Sequence, residues 1–256
     1  MRAAAALVAA LVAVGAAGVG CHWLGLAHPR KPPPPGPPTY SQYHLDGWDW
    51  NRVDRVLVLP LLNESSHTQA GREVQAALTS QLQQLGRFEV VAGPPDDQAL
   101  LGRLAHRGGR FDEAVMLEIG RATRADVIVQ GTITQYSPYP RPRLGLVLQA
   151  IGPREAKIVA SADGLWDTTD LAIAERVRTY YRQTPRPRPP WVRNHVIATD
   201  DGFAGELALD SPALFQRFVC QEAVLALVGL PVPGVAEATA VFPAGATVTS
   251  GANCKP

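Results

Sequence analysis

The stretch Val53 to Leu62 constrains the chain more than any other. Val56, Leu57, Val58, Leu59, Leu61 and Leu62 form a short apolar run with no polar face, as expected of a strand buried on both sides. Such a strand needs helices above and below its sheet. From Thr68 to Leu85, Val74, Leu78, Leu82 and Leu85 recur at helical spacing and lay one apolar stripe along a helix. Gly86 is placed to cap it and Arg87 to Val91 reads as a second strand. Strand, helix, strand with short joints predicts a crossover unit and a parallel pair.

Two further helices are expected, one from Pro94 through Leu104 closed by Gly108 and Gly109, the other from Asp112 to Ala125 with Val115, Ile119 and Ala122 on one side. The period then changes from 3.6 to two. Ala125 to Tyr136 alternates as a strand, and Leu144 to Ile151 and Ala156 to Trp166 are two more, joined by a hairpin signal at Gly152, Pro153 and Arg154. Asp170 to Arg182 is amphipathic through Leu171, Ile173, Val177 and Tyr180. A last helix starts with Ser211 as cap and Pro212 in the first turn. The fold class is therefore α/β (α+β): a mixed sheet of about five strands flanked by helices, opening with β-α-β crossover units and continuing as an antiparallel meander.

The amino terminus carries an address. Met1 and Arg2 precede an uncharged apolar run from Ala3 to Gly20 that ends in small residues at Cys21. This is the pattern of a secretory leader, with Gly18, Val19 and Gly20 before the cysteine resembling a bacterial lipobox in which Cys21 is acylated with palmitate. Gly18 stands where leucine is usual. Cleavage near Ala16 or Ala17, or retention of the run as a span, are the competing outcomes. His22 to Pro38 is proline-rich and favours extended geometry, which suits a stiff tether. The expected organisation is a leader over 1–20, lipidated cysteine and tether over 21–50, an α/β domain over 51–229 and a poorly ordered tail over 230–256.

With Arg2 removed, the 24 basic residues become 23 and balance the 23 acidic ones, so no charge surplus draws the domain to nucleic acid. Arg186, Arg188 and Arg193 with Tyr180, Tyr181 and Trp191 form a basic aromatic cluster, but its prolines favour a solvated connector. The six histidines show no helical metal spacing, so no metal and no cofactor is expected. Cys21, Cys220 and Cys254 make no Cys-x-x-Cys pair. Cys220 falls within the last helix, as a small buried apolar residue would.

Two places could carry function. Asn63, Glu64, Ser65, Ser66 and His67 leave the carboxyl end of the first core strand and enter a helix, where anions and partners bind in open sheets. Glu64, Ser66 and His67 together invite a hydrolase reading, yet no Gly-x-Ser-x-Gly elbow surrounds a serine. Capping of the helix by Ser66 or Thr68 explains the same residues. Trp48 and Trp50, in a turn-rich segment with Tyr40 and Tyr43, could contact a glycan, a solute or a partner, or could cover the edge of the core.

Three segments together resemble a known group: Arg55 to Pro60 followed by Leu61-Leu62-Asn63-Glu64, the helix end Leu85-Gly86-Arg87-Phe88-Glu89-Val90-Val91, and the strand Ala125-Asp126-Val127-Ile128-Val129-Gln130-Gly131-Thr132-Ile133. They are similar to the bacterial envelope lipoproteins that include CsgG, LpoB and the amino-terminal domain of TolB. The resemblance covers about Arg55 to Trp166. It implies a non-enzymatic protein facing the periplasm, held to the outer membrane by lipid, that assembles with itself or with envelope proteins. The loop Tyr136 to Arg143 is short and proline-rich, unlike the membrane hairpins by which CsgG makes a pore.

Overall fold

The computed structural model describes residues 38–94, 97, 112–183 and 202–235. The leader, Cys21, most of the tether, the helix expected after Pro94, the Arg186 to Arg193 cluster, Cys254 and the tail beyond Val235 lie outside them.

The described chain forms one open mixed sheet of seven strands: β1 (Tyr40–His44), β2 (Arg55–Val58), β3 (Leu62–Asn63), β4 (Glu89–Ala92), β5 (Val127–Ser137), β6 (Arg143–Gly152) and β7 (Lys157–Asp167). Their order is β1-β7-β6-β5-β2-β4, with β3 paired to β5. β2 lies parallel to β4 and β5, as the crossover pattern predicts. β5, β6 and β7 form the antiparallel meander. The sheet thus has more strands than the five expected. β1 is one addition: it pairs antiparallel with β7 although the sequence assigns its residues to the tether. Its run of Tyr, Ser, Gln, Tyr and His shows no apolar alternation, and pairing with β7 brings it into the sheet. β3, only two residues long, is the other.

Five helices complete the architecture: α1 (Ala70–Gln84), α2 (Glu113–Thr123), α3 (Leu171–Gln183), α4 (Gly202–Asp210) and α5 (Pro212–Val228). α1 turns Val74, Leu78 and Leu82 into the core and ends before Gly86, whose φ of 63° needs the freedom of glycine. Asp112 caps α2 by accepting from the backbone N–H groups of Ala114 and Val115. α4 has no expected counterpart, because Gly202 to Asp210 is short, carries two glycines and follows a proline-rich break. Its Gly205 lets it lie against the backbone of α3, where an added Cβ would come within 2.8 Å of the Arg178 Cα.

α1, α3 and α5 cover one face of the sheet. α5 fills the centre with Phe215, Phe218, Val219, Cys220, Ala223, Val224 and Leu227, packed on Leu146, Leu148, Val159 and Trp166. A smaller core on the other face joins Leu57, Leu59, Ile128 and Ile151 to Met116 and Ala125. Val56, Val58, Val127 and Val129 face the larger core while Leu57 and Ile128 face the smaller. The double-sided burial read from their apolar run is what forms.

Candidate functional site

β2 and the short β3 deliver the chain to the carboxyl end of the parallel strands, where the Glu64 backbone N–H donates to the Ile133 carbonyl at 2.9 Å. Asn63 then organises the loop. Its Oδ1 accepts from the Ser65 backbone N–H at 3.0 Å and from the Ser65 hydroxyl at 2.6 Å, and its Nδ2 donates to the His67 carbonyl at 2.8 Å. The Ser65 Oγ in turn accepts from the His67 backbone N–H at 3.3 Å. An asparagine that bonds its own backbone in this way fixes a turn without help from a sheet or helix.

These bonds correct the capping expectation. α1 begins at Ala70 with Gln69 as its N-cap, and no side chain caps it. Ser66 and Thr68 are both exposed. The physical reason is the asparagine: its bonds set the turn one step earlier, so the serines stand too far from the first helical amides. Ser65 is committed to Asn63 and to the His67 backbone, while Glu64 and Ser66 point to solvent. The hydrogen bonds of the loop join Asn63, Ser65 and His67 and none joins Glu64, Ser66 and His67 to one another.

His67 instead meets Tyr136, edge to face, with ring centroids 5.1 Å apart. Behind it lies a relay that the sequence does not announce. Gln216 in the first turns of α5 donates from Nε2 to the Tyr136 hydroxyl at 2.5 Å and to Glu73 Oε2 at 3.0 Å. Burial, and then the Glu73 carboxylate, push the Tyr136 hydroxyl up to about 12. It therefore stays protonated. α1, β5 and α5 are joined here behind the loop by hydrogen bonds between neutral groups and one carboxylate.

Trp48 and Trp50 form a T-shaped pair with centroids 6.4 Å apart, and Trp50 leans on Phe88 at 6.1 Å. Both are half-buried against the core, and their indole nitrogens are enclosed without a hydrogen-bond partner. Asp49 caps the 3-10 turn Trp50–Arg52 by accepting from the Asn51 backbone N–H. The rings pack against the core's edge.

A second polar cluster went unforeseen. Arg176 on α3 and Glu222 on α5 pair at 2.8 Å, each about 5% exposed or less. The Trp166 indole N–H donates to Glu222 Oε2 at 2.8 Å, and Arg176 also donates to the Thr39 hydroxyl at 2.8 Å. Tyr40 stacks on Trp166 with centroids 6.1 Å apart. The entry of the chain into the sheet is thereby held to both helices. One signal was available: Glu222 is the one acid in a largely apolar helix, and such a charge, if buried, needs a partner.

Cys220 is a free thiol, fully buried, and burial pushes it up to about 12. Tyr180 and Tyr181 pack against each other and Tyr180 against Phe218, with the Tyr181 hydroxyl donating to the Leu214 carbonyl. Among the described residues no helix is long and apolar enough to cross a membrane, and no group of three His, Cys, Asp or Glu could hold a metal ion.

No family model matches the chain, and no curated protein matches it. Solved structures do. A PelC dodecamer from Paraburkholderia phytofirmans is similar at 20% identity over 50% of this chain and 80% of that one, with a TM-score of 0.38. The LpoB C-terminal domain from Salmonella enterica is similar at 17% identity over 47% of this chain and 85% of that one, with a TM-score of 0.33. Lipoprotein GNA1162 from Neisseria meningitidis is similar at 18% identity over 43% and 78%, with a TM-score of 0.31.

Proposed function

We propose that this chain is a lipid-anchored protein of the bacterial cell envelope whose α/β domain binds other envelope proteins as a scaffold or assembly factor, without catalysis. The observation that carries the reading is the uncharged run Ala3 to Gly20 ending at Cys21, followed at once by a proline-rich spacer. A leader exports the chain, acylation of Cys21 holds it at the membrane, and the spacer keeps the domain clear of the lipid. The domain then faces the periplasm, from the outer membrane. The loop from Asn63 to His67 supports a binding role, because its hydrogen bonds fix its shape while Glu64 and Ser66 remain free to touch a partner.

Radiolabelled palmitate tests the anchor. The wild-type chain should take up label and partition with membranes, and Cys21→Ser should do neither. Equal labelling of the two would end the lipoprotein reading. A Glu64→Arg, Ser66→Arg double variant tests the loop: it should keep the wild-type melting temperature and lose envelope partners that co-purify with the wild type.

A further inference from the structure

One row of the sheet links the candidate loop to the start of β1. Asn63 stands opposite Ile133, Ile133 opposite Leu146, Leu146 opposite Gly164 and Gly164 opposite Tyr40. β3 runs parallel to β5 and leaves this row toward the end of β5, while β1 runs antiparallel to β7 and enters the row from that same side. Four strand spacings of about 4.8 Å separate the two, about 19 Å along the sheet. The loop from Asn63 to His67 and the point where the tether joins the domain therefore share one pole, beyond the ends of β5 and β7. The turn between β6 and β7 lies at the other pole.

The joining point is fixed. The Thr39 hydroxyl accepts from Arg176 at 2.8 Å, Tyr40 stacks on Trp166, and Arg176 is itself buried against Glu222. The chain after α5 returns past the same strand, from Gly229 against His44 to Gly234 against Arg176. The shared pole also carries exposed apolar side chains: Tyr139, just after β5, and Leu171, at the start of α3 after β7, are 71% and 84% exposed. Among the described residues no large apolar side chain is exposed in the turn between β6 and β7.

We propose that the loop from Asn63 to His67 faces the membrane that holds the chain and takes a partner protein held by that same membrane. This rests on the anchor at Cys21. The 18 residues from Cys21 to Pro38, at about 3.1 Å each when extended, reach at most about 56 Å. A domain held through a fixed point at one pole keeps that pole toward its anchor, and the loop stands about 19 Å to the side of that point. A partner in the same membrane meets the loop inside this gap, at an effective concentration set by the tether's reach. A partner approaching from the far side meets the other pole. Tyr139 and Leu171 offer apolar contact at the pole where Glu64 and Ser66 stand exposed.

Photo-cross-linking in cells tests this. Full-length chains carry a photo-reactive residue at Thr68, exposed beside the loop, or at Glu155, exposed in the turn between β6 and β7, and a protease site inserted after Lys31. After irradiation the membranes are isolated, the tether is cut and the two envelope membranes are separated by density. Domain without an adduct should be released by the cut. A protein adduct at Thr68 should stay at the density of the membrane that carried the uncut chain, and Glu155 should not form it. Thr68 adducts released with the free domain, adducts that move to the other membrane, the same adduct from Glu155, or no adduct other than lipid overturn the proposal. A domain already free of membrane before the cut overturns the anchor reading, and the inference falls with it.

Discussion

Helix α5 handles its two buried polar residues in opposite ways. Gln216, in its first turns, joins Tyr136 and Glu73 in a relay that ends at an exposed carboxylate. Glu222, further along, is sealed with Arg176 and receives the Trp166 indole, so a full ion pair is out of water. The first arrangement can lose a member and let solvent in from the Glu73 side. The second cannot. Position therefore decides which polar residues of this domain are structural necessities and which are adjustable supports for a surface loop.

The largest expected effect removes half of the sealed pair. Glu222→Ala leaves the Arg176 guanidinium buried and uncompensated, and should destabilise the fold by about 3 to 5 kcal/mol. Replacing both partners, Arg176→Met with Glu222→Leu, should cost far less, because the pair's attraction mainly offsets its own desolvation. Chemical denaturation of the two variants checks this. The comparison within α5 breaks if the double variant is as unstable as the single one.

Alkaline pH probes the open relay. The Tyr136 hydroxyl is raised from 10 to about 12, first by burial and then by the Glu73 charge. A group whose folded-state pKa is raised contributes stability that is complete below its unfolded value and is lost as pH rises toward the folded one. The wild type should therefore lose stability between pH 10 and about 12, by at most about 3 kcal/mol from this residue, since a tenfold change in acidity is about 1.4 kcal/mol. Tyr40, raised to about 12 by burial and then by Glu222, acts in the same window. Tyr136→Phe should remove the first share and keep the second. A Tyr136→Phe stability curve identical to the wild type across that window would mean the relay is already open to water.

Within the loop, Asn63→Ala removes the acceptor of both Ser65 bonds and the donor to His67. Water replaces part of what is lost, so about 1 to 2 kcal/mol is expected by thermal denaturation. The loss should exceed that of any other single substitution between Asn63 and Thr68.

Those residues also show how far the sequence could be read. β2, α1, β5, β6 and β7 were legible because each buries a stripe or a face, and burial leaves a period in the chain. β1 was not, because an edge strand with its central side chains in water has no period to leave. α4 was hidden by its shortness and its two glycines, and the Arg176–Glu222 pair by a separation that no local pattern spans. The position of the candidate loop was legible, since a strand end followed by a helix is a local signal. Its internal bonding was not: Ser66 and Thr68 carry the residue types of a cap, and nothing local shows that Asn63 turns the chain before either reaches the helix.

The smallest expected effect separates these two accounts of the loop. If Ser66 capped α1, its hydroxyl would accept a backbone N–H from the first turn, and Ser66→Ala would cost about 0.5 to 2 kcal/mol. Here Gln69 precedes the helix without a side-chain bond, and Ser66 is exposed with no hydrogen bond from its side chain. Substitutions at such positions usually stay within about 0.5 kcal/mol. Ser66→Ala should therefore melt with the wild type, while Ser65→Ala, which loses the 2.6 Å bond to Asn63 and the acceptor for the His67 N–H, should lose about 1 kcal/mol. The order of the two serines carries the information. A Ser66→Ala loss equal to or above that of Ser65→Ala would restore the cap and remove Asn63 as the residue that shapes the loop. The expected order leaves Ser66 with no part in stability, so any loss of partner binding on changing it reports contact alone.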